Sequence, residues 1–227
     1  MYVNEIIKPV EEGVNDPHIF KAVFLAGGPG SGKSFVSNKM LSGTGLRTVN
    51  SDDIYEYMMT KAGKELTPDD IYSDEGQEIR NRAKQITKNK EASHIEGRLG
   101  LVIDGTGKDV AKVQKANEQL KSLGYETMML FVNTSEDVAQ ERNVQRARSL
   151  PKEQVTKMWQ AVQQNLMKFQ QLFGAGNFHI VDNSGGLEDP DRKANFLEVD
   201  RAIDKFLMSA PSDRRAKKWI ADQKSSK

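Results

Sequence analysis

The 227-residue sequence contains no cysteine, only two tryptophans and three histidines, and no excess of either charge: 33 basic side chains face 32 acidic ones, a formal net charge of +1. Without cysteine there is neither a disulfide framework nor a thiolate metal site, which fits a reducing compartment. The charge balance leaves no overall field to attract nucleic acid or an anionic membrane, so any polyanion site has to be local. No apolar run approaches the roughly twenty residues that span a bilayer, and the first residues lack the charged-then-apolar layout of a signal peptide. A soluble, cytoplasmic protein without a membrane partner is expected. The chain is long enough to bury a full core, and its composition is that of a globular protein.

What the sequence does have is concentrated between Lys21 and Phe35, KAVFLAGGPGSGKSF. A short apolar run, Ala22 to Ala26, leads directly into Gly27-Gly28-Pro29-Gly30-Ser31-Gly32-Lys33-Ser34, which satisfies G-x-x-x-x-G-K-S at every position. Glycines permit the backbone bend that turns successive N–H groups inward, where they form a nest for phosphate oxygens. A helix starting near Gly32 would add its N-terminal dipole, Lys33 would reach the β- and γ-phosphates, and the Ser34 hydroxyl would face Mg²⁺.

Around this loop the chain alternates short apolar runs with helical patterns. Residues 1–20 read as an N-terminal arm with Ile6, Ile7 and Val10 as an apolar patch and Asn15-Asp16-Pro17 as a turn. Phe35, Val36, Met40 and Leu41 make a helical face, and a second short strand follows over Leu46 to Asn50. At its end stand Ser51, Asp52 and Asp53. Ser51 or Asp52 would cap the next helix, and the Asp pair either faces a γ-phosphate at the strand ends or serves only as a cap. Residues 61–97 read as a polar helical insertion with starts at Thr67-Pro68 and Ser73-Asp74 and with His94 on its surface.

Leu99 to Asp104 is a buried strand running into Gly105-Thr106-Gly107. Asp104 either belongs to a magnesium shell or starts a turn. Gly105, where a motor ATPase would carry a water-activating Glu, favours transfer to a bound acceptor over hydrolysis. A helix over Asp109 to Leu123 stops at Gly124, and Glu126 to Asn133 is a fourth strand. On the helix opened by Thr134-Ser135-Glu136-Asp137, Arg142 and Arg146 share a face, with Arg148 nearby. They could close over a triphosphate, because the guanidinium fork grips phosphate in bidentate fashion, or pair with Glu136 or Glu141 on a solvated face. From Pro151 a helix carries one apolar stripe from Val155 to Phe173. Phe178 to Val181 is a fifth strand, and the following loop, with Asn183, is placed like those that border adenine in P-loop enzymes. The C-terminal residues 186–227 read as a helical appendage. It ends in a basic cluster (Arg214, Arg215, Lys217, Lys218) beside Trp219, which either touches nucleic acid or a partner or is a solvated face with the indole tucked beneath.

Strands alternating with helices argue an α/β fold with a doubly wound, mainly parallel five-stranded sheet. GGPGSGKS, NSDD, LVIDGTG and ERNVQRARSLPKEQV together resemble the P-loop kinases of the phage polynucleotide 5′-kinase and zeta-toxin group, from about Lys21 to Asn183. The resemblance implies a three-layer α/β/α P-loop NTPase of kinase type over residues 21–185, with a lid at about 142–151. The resemblance implies Asp52 as general base, Lys33 with the lid arginines Arg142 and Arg146 on the transferred phosphate, and Ser34 and Asp104 toward Mg²⁺. It implies ATP contacts from Gly28, Pro29, Gly30, Ser31, Gly32, Lys33, Ser34 and Phe35, with Asn183 at the base. The acceptor would be a hydroxyl of a nucleic acid end, a nucleotide or a nucleotide sugar. Tyr55 departs from the group, which has an acceptor-binding Arg three residues after the catalytic Asp. Two alternatives stay open: a small-metabolite or nucleotide kinase on the same fold, and a non-catalytic nucleotide-binding module whose terminal segments dock a protein partner.

Overall fold

The structure, a computed structural model, describes residues 13–145 and 149–225. The apolar run before the glycine loop becomes β1 (Lys21–Ala26), buried along its whole length. A strand covered on both faces belongs at the middle of a parallel sheet. β1 lies there, between β3 (Leu101–Asp104) and β4 (Glu126–Asn133), with β2 (Arg47–Val49) and β5 (Phe178–Asp182) at the edges in the order β2-β3-β1-β4-β5. Every pairing among these five strands is parallel.

The period of two along β1 and β4 divides the core. Ala22, Phe24 and Ala26 with Met129 and Phe131 point to one face, and Val23 and Leu25 with Met128, Leu130 and Val132 to the other. The first face is covered by α5 (Val110–Ser122), α7 (Lys152–Gln163), α8 (Leu166–Phe173) and α10 (Arg214–Ser225), and the second by α1 (Lys33–Met40) and α9 (Pro190–Met208). The result is a three-layer α/β/α sandwich. Residues 61–97 form α3 (Pro68–Tyr72) and α4 (Asp74–Glu96), started by the side chains of Thr67 and Ser73, which accept from Asp70 N and Gly76 N. With α2 (Ser51–Lys61) they enclose a small core of their own around Tyr55, Met59 and Ala83.

Several expectations are corrected. The cap of α2 is Asn50, whose Oδ1 accepts from Asp52 N at 2.8 Å, and not Ser51 or Asp52. The long apolar stripe after Pro151 is two helices, α7 and α8. Asn165 sits buried at the break and donates through Nδ2 to the carbonyls of Gly107 and Lys108 at 3.0 and 3.1 Å. His94 is half-buried, and burial first, then Lys90 and Arg47, hold its imidazole below the ordinary histidine range.

The boundary drawn at residue 186 separates nothing. α9 buries Phe196, Val199, Ile203, Phe206 and Leu207 against the sheet, so it is one of the layers. On α10 Ala216 packs at Gly124, and Trp219 meets the ring of Phe20 edge-on at 5.6 Å while its four basic neighbours are exposed. The indole is thus tucked against the core beneath a solvated basic face, as the second of its two readings had it. Ile19 and Phe20, assigned to the arm, are buried as well; Ile6, Ile7 and Val10 lie outside the described residues.

Candidate active site

The loop Gly27–Gly32 leaves the C-terminal end of β1, where open α/β sheets hold their ligands. Its backbone requires glycine in two places. At Gly30 (φ +73°) a Cβ would overlap the Ala139 carbonyl of α6 (Glu136–Val144), and at Gly32 (φ +82°), the N-cap of α1, it would overlap Asn183 Nδ2. The loop is thus wedged between α6 and the end of β5. Asn183, expected beside a base, is 2% exposed and serves as a strut. Its Nδ2 donates to Ser31 O at 2.7 Å, and its Oδ1 accepts from Arg192 Nε and Nη2 at 3.1 and 2.7 Å. Ser31 is buried beneath the loop, and its Oγ has no hydrogen-bond partner among the described residues. The Phe35 ring points away, into a cluster with Phe196 and the Arg192 guanidinium.

Above the loop opens a cleft of about 400 Å³. Gly28, Pro29, Gly30, Gly32, Lys33 and Ser34 form its floor, Asp52 and Thr106 one wall, and Arg142 with Leu150 and Met158 the other. Lys33 Nζ donates to Asp104 Oδ1 at 2.7 Å, and Asp104 Oδ2 accepts from Asn50 Nδ2 at 3.2 Å. Asp53 turns from the cleft into a small hollow with Thr87 and Lys90. Burial first, then the carboxylates of Asp104 and Asp52, push its carboxyl above the usual aspartate range.

Arg142 is half-buried with Nη1 3.5 Å from Gly30 O, and it is not paired with Glu136, which accepts instead from Thr156 Oγ1. Burial, then the nearby Arg192, make its charge more costly than in water. Two guanidiniums beside a glycine loop leave positive potential that an anion would neutralise. Arg146 and Arg148 lie outside the described residues. The ends of the segment that carries them are tied together, since Asn143 exchanges hydrogen bonds with Leu150 N and O at 2.9 and 2.8 Å.

Tyr55, one turn beyond Asp52, is 1% exposed, and its ring is covered by the Arg80 guanidinium of α4 at 4.2 Å. Asn50, Thr106, Leu150, Met158 and Arg192 went unrecognised in the sequence. The runs NSDD, DGTG and ERNVQRARSLPKEQV contain Asn50, Thr106 and Leu150, but nothing local marks Met158 or Arg192, which arrive from separate elements.

The residues that would hold a cation here offer oxygen, as Mg²⁺ requires: Ser34, which lines the cleft, and Asp104, hydrogen-bonded to Lys33 of the cleft floor. Among the described residues no cluster of three or more acidic, histidine or cysteine side chains could hold a metal alone. With Ser34 and Asp104 as its oxygen ligands, a cation held here would complete its shell with phosphate oxygens and water.

A glycine loop between the central strand of a parallel sheet and a helix, with lysine and serine at the helix start, defines a P-loop NTPase fold of kinase type. Residues 23–168 match the sequence model of the AAA domain family, more than half of the chain, and the protein belongs to that family. Among solved structures it is similar to a kinase candidate from Chloroflexus aurantiacus (17% identity, TM-score 0.52, covering 82% of this chain and 96% of the other). It is also similar to a chain of the PezAT chromosomal toxin–antitoxin system of Streptococcus pneumoniae (16%, 0.51, 82% and 87%). A third likeness is to a chain of the Pnkp1/Rnl/Hen1 RNA repair complex (20%, 0.50, 67% and 47%), of which this protein spans about half the length. At these identities the likeness is one of fold. No curated protein sequence matches the chain. No helix among the described residues is long and apolar enough to cross a membrane.

Proposed function

We propose that the protein is an ATP- and Mg²⁺-dependent phosphotransferase that moves the γ-phosphate to a hydroxyl of a nucleic acid end, a nucleotide or a nucleotide sugar. One observation carries this reading: Asp52, Lys33, Ser34 and Arg142, drawn from three helices, line a single cleft over the glycine loop. In the reaction the Asp52 carboxylate takes the proton of the acceptor hydroxyl as its oxygen bonds to the γ-phosphorus. The bond from that phosphorus to the β–γ bridging oxygen breaks, and ADP leaves. Lys33 exchanges Asp104 for β- and γ-phosphate oxygens. Arg142, which lines the cleft, would meet the equatorial oxygens, and the resemblance gives Arg146 the same task; one arginine is worth about 10³- to 10⁵-fold in rate in related chemistry. Ser34 and Asp104 would hold Mg²⁺, which when bound would neutralise charge on the phosphates. The likeness in fold to a chain of an RNA repair complex is in keeping with a nucleic acid end as acceptor. Tyr55, buried under Arg80, offers no direct contact to one.

The test is transfer from γ-labelled ATP to panels of oligonucleotides, nucleosides and nucleotide sugars, for wild type and Asp52→Asn. Label moved by wild type alone supports the reading and names the acceptor. ATP binding with no transfer to any acceptor shifts the assignment to a nucleotide-binding module.

A further inference from the structure

Asp52 and Asp53 are adjacent on α2, so their side chains leave the helix about 100° apart, and the rotation of α2 about its axis decides which one faces the cleft. Asn50 fixes that rotation from both ends of its carboxamide. Oδ1 accepts from Asp52 N at 2.8 Å. The two hydrogens of Nδ2 are matched by two carboxylates, Asp53 Oδ1 and Asp104 Oδ2, each at 3.2 Å. The amide orientation follows from chemistry, because only the oxygen can meet a backbone N–H and only the nitrogen can meet two carboxylates.

We propose that Asn50 is the positioning residue of this site: it ties Asp53 back to Asp104 and thereby leaves Asp52 as the one carboxylate of the pair that faces the acceptor. The proposal rests on the phosphotransferase reading for Asp52, but not for Asp104. In the described structure Asp104 has two hydrogen-bonded holders, Lys33 and Asn50. Once Lys33 turns to phosphate oxygens, Asn50 remains to hold Asp104 toward the metal. A side chain that braces a metal-facing carboxylate typically contributes about 10- to 100-fold in metal affinity.

Asn50→Ser separates the two tasks, since serine is an equally good cap but lacks the amide donor; Asn50→Ala removes both. Melting temperature, steady-state kinetics with the acceptor found by the panel, and calorimetric ATP affinity with and without Mg²⁺ are measured for each variant. Asn50→Ser is expected to melt near wild type and keep its ATP affinity without Mg²⁺, while kcat falls about 10- to 100-fold through misplacement of Asp52. The gain in ATP affinity on adding Mg²⁺ is expected to shrink about 10-fold. Wild-type kcat and an undiminished Mg²⁺ gain in Asn50→Ser overturn the proposal, as do losses that merely track the melting temperature across the two variants. If wild type phosphorylates nothing, the kinase reading falls alone and the Mg²⁺ gain still decides for or against Asn50. If wild type does not bind ATP, both fall.

Discussion

The carboxamide of Asn183 joins the glycine loop to α9, accepting from a nearly buried arginine and donating to the Ser31 carbonyl. Asn183→Ala would strand that carbonyl and the Arg192 guanidinium, and unsatisfied buried groups of this kind cost about 1–3 kcal/mol. A matching loss in denaturant midpoint together with weaker ATP binding is expected, since loop and strut share the contact. Gly32→Ala acts on the same spot from the other side. The left-handed conformation costs a non-glycine residue about 1–2 kcal/mol, and the added Cβ meets Asn183, so ATP affinity should fall even where the protein stays folded. For the lid, Arg146→Ala should lower kcat about 10³-fold with little change in ATP affinity, and an unchanged rate would remove Arg146 from the mechanism.

Between elements, polar side chains set the joints. Lys21, 1% exposed on the central strand, donates to Glu126 on β4 and to Ser209 Oγ at 2.7 Å just past α9, while Glu126 also accepts from Ser212 N and Oγ at 2.7 and 2.6 Å. Burial raises the Glu126 carboxyl, but the hydrogen bonds from Lys21 and Ser212 outweigh it and hold its pKa below the ordinary glutamate value. A depressed folded-state pKa contributes stability that is complete above the unfolded-state value and is lost as pH falls through the folded one. Stability measured from about pH 5 down to about pH 3 should therefore decline less steeply in Glu126→Gln than in wild type. The break at Asn165 is a second joint. Asn165→Leu removes the donor to the Gly107 and Lys108 carbonyls and is expected to cost about 1–3 kcal/mol, read by thermal unfolding.

For the molecule as a whole, the decisive interface is that of α9 with the sheet. A chain ended after residue 185 would expose Val36, Met40, Leu130 and Val181 along with the rest of that face. It is expected to show no cooperative unfolding transition, whereas a separable appendage would leave the melting curve intact. Phe196→Ala in the full chain tests the same layer more gently, with an expected loss of about 3–5 kcal/mol.

Local pattern in the sequence was enough for the five strands, the glycine loop, the alternation that gives an α/β sandwich and the bounds of β4 to the residue, because strand period and loop dihedrals are properties of neighbouring residues. Asp52, Lys33, Ser34 and Arg142 were legible for the same reason, each sitting in or beside a short motif. The cap of α2 was misread by one or two positions, since Asn, Ser and Asp are near-equal caps and only backbone geometry chooses among them. Long-range packing alone could decide that Asn183 is a strut, that Arg192 lies beside Arg142, that the stripe after Pro151 breaks at Asn165, and that α9 and α10 belong to the two helical layers of the fold. Most of these partners are dozens of residues apart, and a sequence records which groups exist but not which of them meet when the apolar faces close.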